Sequence, residues 1–164
     1  MKPEVDIRRK IVSVQEAKDL VTAWQKTGDT IVFTNGCFDL LHPGHIDYLF
    51  KAASLGDHLV IGLNSDDSVQ RLKGAHRPIQ DEPSRALILA ALACTDLIIS
   101  FSEDTPYELI KALQPDVLVK GGDYTADQIV GSDIVMQKGG NVLTLDFLDG
   151  YSTSAIERKI KTYL

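Results

Sequence analysis

The chain has 164 residues, 44% of them hydrophobic and 24% charged, with 12 Gly and 6 Pro. This excludes collagenous, low-complexity and disordered classes, and the length suits one domain that closes its core without staples. Seventeen Lys and Arg against 23 Asp and Glu leave a net charge of −6, which disfavours generic nucleic-acid binding. The two cysteines, Cys37 and Cys94, form no Cys-x-x-Cys pair, as expected of a reducing compartment and not of a disulfide scaffold or a cysteine-rich zinc site. No apolar run reaches the roughly 18 residues of a membrane span. Lys2, Arg8, Arg9 and Lys10 have no apolar stretch behind them, so no signal peptide is expected. The expectation is a soluble, cytoplasmic protein without a membrane or nucleic-acid partner.

Residues 1–12 read as a frayed lead-in, and 13–164 as a single domain. Ser13 caps a first helix with Glu16 at the capping-box spacing; Val14, Ala17, Leu20, Val21 and Trp24 share a face, and Gly28 ends it. Ile31–Thr34 is a buried strand, and a helix is predicted from Gly44 to Ser54. Leu59–Leu63 is the second strand. A helix over Ser84–Ala93 follows Pro83, then a third strand at Leu97–Phe101. Thr105–Leu113 is helical, with Pro106 at its first position and Pro115 beyond its end. Val117–Val119 is the fourth strand, Asp127–Lys138 a helix, Asn141–Leu145 the fifth strand and Ser152–Tyr163 the last helix. The strands are continuously apolar, as when helices cover both faces of a sheet. Strand–helix alternation with short links predicts a doubly wound, parallel, five-stranded α/β sheet. Such sheets bind ligands beyond the carboxyl ends of their strands, at the topological switch point.

The first strand runs into Thr34-Asn35-Gly36-Cys37-Phe38-Asp39-Leu40-Leu41-His42-Pro43-Gly44-His45. Gly36 removes a side chain where backbone must approach a ligand. Gly44 opens a helix whose first N–H groups attract phosphate. His42 and His45 flank that start and can converge on one spot. Taken singly, Asn-Gly is a turn, a lone His is a solvated or packed residue, and two His without a third ligand make no zinc site. The whole string after a first strand outweighs those readings. Gly150-Tyr151-Ser152-Thr153-Ser154 is either an ordinary N-cap or a second anion cradle of hydroxyls and free N–H groups.

The first string resembles the nucleotidylyltransferase superfamily, cytidylyltransferases and related adenylyltransferases, whose hallmark is His-x-Gly-His. The Ser152-Thr153-Ser154 run is similar to that superfamily's Ser/Thr motif, with Ser154 where Thr is usual and Tyr151 where several relatives carry Arg. Arg71-Leu72-Lys73-Gly74-Ala75-His76-Arg77-Pro78, Arg85, and Val119-Lys120-Gly121-Gly122-Asp123-Tyr124 resemble the heptose 1-phosphate adenylyltransferases of lipopolysaccharide-core synthesis. The resemblance covers about residues 13–162 and implies a Rossmann-like sheet. It also implies a stand-alone form of a domain that many relatives carry behind a sugar kinase.

What the resemblance implies chemically is transfer of AMP from ATP to a sugar 1-phosphate, releasing pyrophosphate. The acceptor phosphate, with its second pKa of about 6, is already anionic and needs no general base. Catalysis then rests on charge neutralisation and alignment. His42 and His45 would donate to phosphates, and Lys73 and Arg85 would supply charge. Asn35, Gly36, Cys37, Phe38, His42, Gly44, His45, Lys120, Gly121, Gly122, Asp123, Ser152, Thr153 and Ser154 would hold the nucleotide. Asp39 would brace the loop. Mg²⁺ is expected with ATP rather than on protein side chains, and a homodimer is expected. Alternatives are a cytidylyltransferase acting on glycerol 3-phosphate or an alcohol phosphate, and a catalytically silent nucleotide-binding module. Neither a Gly-x-Gly-x-x-Gly nor a P-loop motif occurs, which argues against a dehydrogenase or P-loop NTPase.

Overall fold

The computed structural model describes residues 6–122 and 124–163. The elements are α1 (Val14–Thr27), β1 (Ile31–Gly36), α2 (Pro43–Ala53), β2 (His58–Asn64), α3 (Asp66–Lys73), α4 (Glu82–Ala90), β3 (Leu97–Phe101), α5 (Tyr107–Leu113), β4 (Val117–Gly121), α6 (Ser132–Gln137), β5 (Asn141–Leu145) and α7 (Thr153–Thr162). Short 3-10 turns lie at Ile7–Lys10 and Ala126–Gln128. All five strands are parallel, in the order β3-β2-β1-β4-β5.

Alternate residues of each central strand serve opposite layers, because successive side chains of a strand point to opposite faces. Ile31, Phe33, Val60, Ile99 and Leu118 pack with Ala17 and Val21 of α1 and with α5 and α6. Val32, Leu59, Ile61, Ile98 and Val119 pack with Leu49 and Ala52 of α2 and Ala86 and Leu89 of α4. Strands β1–β4 are therefore covered on both faces, as continuously apolar strands predict, whereas the edge strand β5 is largely exposed. The predicted capping box is present, Ser13 N donating to Glu16 Oε2 at 2.9 Å and Glu16 N to Ser13 Oγ at 3.3 Å.

Three segments differ from the sequence reading. Residues 6–12 are docked rather than frayed: Ile11 bridges Ile98, Val12 N donates to the Ile98 carbonyl at 3.1 Å, and Lys10 Nζ reaches the Leu92 carbonyl at 3.1 Å. Helix α3 was not predicted, because its eight residues carry only Val69 and Leu72 as apolar positions. The helix expected over Asp127–Lys138 is split, since Gly131 adopts φ +86° and α6 begins only after it.

Strand order reverses between β1 and β4. Their register extends only over Val32 opposite Val117 and Phe33 opposite Leu118, whereas β1 pairs with β2 from Ile31 to Gly36. Beyond Phe33 the two strands part, and the cleft opens there. Tyr48 of α2 fills the base of the gap, its hydroxyl 2.7 Å from Thr34 Oγ1 and donating to the Val119 carbonyl at 3.2 Å.

Candidate active site

Two connected lobes lie over the diverging ends of β1 and β4. The smaller, about 160 Å³, is bounded by Asn35, His45, Lys73, Lys120, Phe147 and Thr153. The larger, about 540 Å³, shares Asn35, Cys37, Lys73 and Lys120 and runs out to Asp104, Tyr124 and Gln128. Lys73 and Lys120 thus stand where the lobes meet. Asn35, Gly36, Cys37, Phe38, His45, Lys73, Lys120, Gly121 and Thr153 converge here, while His42, Gly44, Gly122, Ser152 and Ser154 line neither lobe, Ser152 and Ser154 being exposed. Asp123 lies outside the described residues.

At the start of α2, Pro43 takes the first position, and His42 precedes it without a side-chain cap. The His42 and His45 rings stack with centroids 3.9 Å apart. A Cβ at Gly44 would sit 3.1 Å from the His42 ring, so glycine leaves room for that ring against the helix start, with Tyr151 Cβ at an ordinary 3.4 Å. Burial, then the neighbouring His42 and Lys73 charges, push His45 down to about 4; burial also lowers His42. Both rings are therefore neutral at pH 7, each offering one N–H. The buried Nδ1 atoms of both have no hydrogen-bond partner among the described residues. Buried polar atoms normally have one, and an anionic ligand would accept such a donor.

The loop between β1 and α2 is held by its own network. Phe38 adopts φ +45°, rare for a non-glycine residue, and its ring fills the place of a side chain at Gly36. Asp39 is 3% exposed and accepts from Ile79 N at 2.8 Å, Gln80 N at 3.0 Å and Arg77 Nη1 at 2.5 Å. Burial works against the Asp39 carboxylate, but the Gln80 and Ile79 amides and Arg77 outweigh it and hold the pKa below the usual range. Asp39 braces the loop, in line with the sequence reading.

Arg85 does not supply charge to the lobes. Its side chain is fully buried. Nε donates to the Gln80 carbonyl at 3.0 Å, Nη1 to the Cys37 and Asn64 carbonyls at 2.6 and 2.8 Å, and Nη2 to Asp66 Oδ1 at 2.8 Å. The guanidinium ties the ends of β1 and β2 to the start of α3 and the approach to α4. The free formal charge falls to Lys73, exposed at both lobes, and to Lys120, whose burial lowers its pKa against a raising influence from Cys37. The Phe147 ring occupies the place of a Cβ at Gly121 and abuts one at Gly122. Thr34, Tyr48 and Phe147 were missed by sequence reading. Tyr48 was within reach, one turn beyond His45 on the same helix face; Phe147 carries no such mark.

At α7, Ser152 caps the helix by accepting from Ala155 N at 3.1 Å. Thr153 lines the smaller lobe. Among the described residues, no group of three or more His, Cys, Asp or Glu is placed to hold a metal ion, and no helix is long and apolar enough to cross a membrane.

The cytidylyltransferase-like family model matches residues 33–159, from within β1 into α7. The chain belongs to the cytidylyltransferase-like family. That membership makes it a nucleotidyltransferase. It is 56% identical over 146 residues, 89% of the chain, to the bifunctional protein HldE of Rhodospirillum rubrum, and 54% identical over 157 residues to that of Geotalea uraniireducens. The chain spans about a third of the length of these relatives, 29% and 32%. Among solved structures it is similar to a lipopolysaccharide core biosynthesis protein from Thermoplasma volcanium, with a TM-score of 0.59 at 30% identity, covering 76% of this chain and all of that one. A pantoate-beta-alanine ligase from Francisella tularensis shares the fold at 16% identity and a TM-score of 0.58, covering 93% of this chain and 77% of that one.

Proposed function

We propose that the chain transfers AMP from ATP to a sugar 1-phosphate, a heptose 1-phosphate, and releases pyrophosphate. The observation that carries this reading is the neutral, stacked His42–His45 pair at the switch point, with two lysines at the junction of the lobes and a hydroxyl-bearing helix start opposite. The resemblance of residues 71–78, 85 and 119–124 to heptose 1-phosphate adenylyltransferases supports the acceptor, as does the likeness to a lipopolysaccharide core biosynthesis protein.

An oxygen of the acceptor phosphate attacks the α-phosphorus of ATP. One P–O bond forms, the bond to the β-phosphate bridge breaks, and pyrophosphate leaves with its electron pair. No proton need be removed, because the nucleophile is anionic near neutral pH. His45 donates an N–H to charge developing on the α-phosphate and the leaving group, and His42 donates alongside it. Lys73 and Lys120 act as point charges holding the two anions near each other. Thr153 adds a donor at the start of α7, which Ser152 caps and where the helix dipole favours negative charge. Magnesium enters as part of the Mg·ATP substrate, held through phosphates and water. The working form is a cytoplasmic homodimer, which light scattering at micromolar concentration checks.

Pyrophosphate release measured with each nucleoside triphosphate and with heptose 1-phosphate or glycerol 3-phosphate tests the reading. Fastest release is expected with ATP and the heptose. Clearly better turnover with CTP and glycerol 3-phosphate assigns a cytidylyltransferase, and no release with any pair assigns a silent binding module.

A further inference from the structure

We propose that Arg77 is a positioning residue: a strut between the β1–α2 loop and α7 that sets the spacing of the two segments gripping the triphosphate. The inference rests on reading the start of α7 as part of that grip.

Arg77 uses separate nitrogens for its two partners. Nη1 pairs with Asp39 Oδ2 at 2.5 Å, and Nη2 with Glu157 Oε2 at 2.8 Å. The junction is largely withdrawn from water, with side-chain exposures of 12% for Arg77, 2% for Asp39 and 29% for Glu157. Asp39 follows Phe38 directly and precedes His42 by three residues; its carboxylate is already fixed by the Ile79 and Gln80 amides. The Asp39 end of the strut is therefore anchored.

The other end holds a helix that packing alone does not hold. No residue of α7 is buried, and among the described residues the Arg77–Glu157 pair is the one ion pair joining α7 to the rest of the chain, through the α3–α4 loop. Glu157 lies four residues after Thr153, one turn along the same face. Fixing the Glu157 carboxylate therefore fixes both the rotation of α7 and the height at which Thr153 meets the smaller lobe. A planar, forked guanidinium can hold two carboxylates at a set separation, whereas a lysine ammonium offers one point of charge.

The test titrates Glu157→Gln, Arg77→Lys and Thr153→Val calorimetrically with ATP and with adenosine, alongside steady-state kinetics and thermal melts. Glu157→Gln should weaken ATP binding about fivefold, of the order a partly exposed ion pair commands. Its adenosine affinity, its kcat at saturating ATP and its acceptor KM should stay within about twofold of the parent. A merely structural pair would instead lower the melting temperature and leave ATP affinity alone. Arg77→Lys should show the same selective loss of ATP, since charge without the fork does not restore the spacing. ATP affinity unchanged in folded Glu157→Gln, equal loss for ATP and adenosine, or parental behaviour of Arg77→Lys overturns the strut. Thr153→Val separates the two levels: selective ATP loss there with none in Glu157→Gln removes the strut and keeps the grip, and no loss there removes the grip itself.

Discussion

Replacing Arg85 with Met asks whether this guanidinium serves the substrate or the fold. Methionine fills much of the same space, but it removes the donors that reach the Gln80, Cys37 and Asn64 carbonyls and the Asp66 carboxylate. Asp66 is 43% exposed in its side chain and can take water. The Arg85 side chain is fully enclosed, and the carbonyls it serves lose their partner in a crowded interior. Leaving those buried carbonyl acceptors without a donor costs about 1–3 kcal/mol each, about 3–5 kcal/mol together as the site partly relaxes, a large fraction of the roughly 5–15 kcal/mol that holds a domain together. At about 2–4 °C per kcal/mol for a chain of this size, the melting temperature should fall by about 6–20 °C. Thermal melts followed by circular dichroism, with urea midpoints at constant m, measure this. A variant that melts within about 2 °C of the parent yet loses ATP affinity would refute the structural role and return Arg85 to the phosphates.

Two further expectations concern His45. His45→Ala should stay folded and lose about 10²–10³ in turnover, the scale of one donor to developing charge; pyrophosphate release in a variant with a parental melt checks it. Its pKa of about 4 lies below the ordinary 6.5, so between these values the unfolded chain binds the proton and the folded one does not. The His45 contribution is intact above pH 6.5, is lost as pH falls toward 4 and stops changing below that. Urea midpoints should therefore decline across this window, and His45→Gln should flatten the decline; an identical slope in both proteins contradicts the burial argument.

The strands were legible because each is a short, mainly apolar run, broken only by small residues such as Ser100 and Thr144, and the Ser13–Glu16 box marked the start of α1. Helix α3 was hidden by the same criterion: it packs one valine inward, and the surviving marks are its cap, Ser65, and Asp66 and Asp67 in the first turn. The histidines were legible because they lie within one contiguous string. Arg85 was misread because type and position said cation near a site, whereas its face, shared with Leu89 four residues on, said interior. Arg77 and Glu157 are 80 positions apart, and only the folded chain brings them together.

The short seam between β1 and β4 has a kinetic side. β1 and β2 are joined along their whole length by a crossover of about 20 residues, while β4 must return to β1 from some 80 residues away and gains little pairing when it arrives. Contacts distant in sequence form late, because the chain must be ordered before they reward it. The block from β1 to β3 is thus the natural first unit to assemble, and β4 with β5 the last to join and first to leave. Amide exchange should be faster along β4 and β5 than along β2, and a bound ligand spanning the seam should slow it there most.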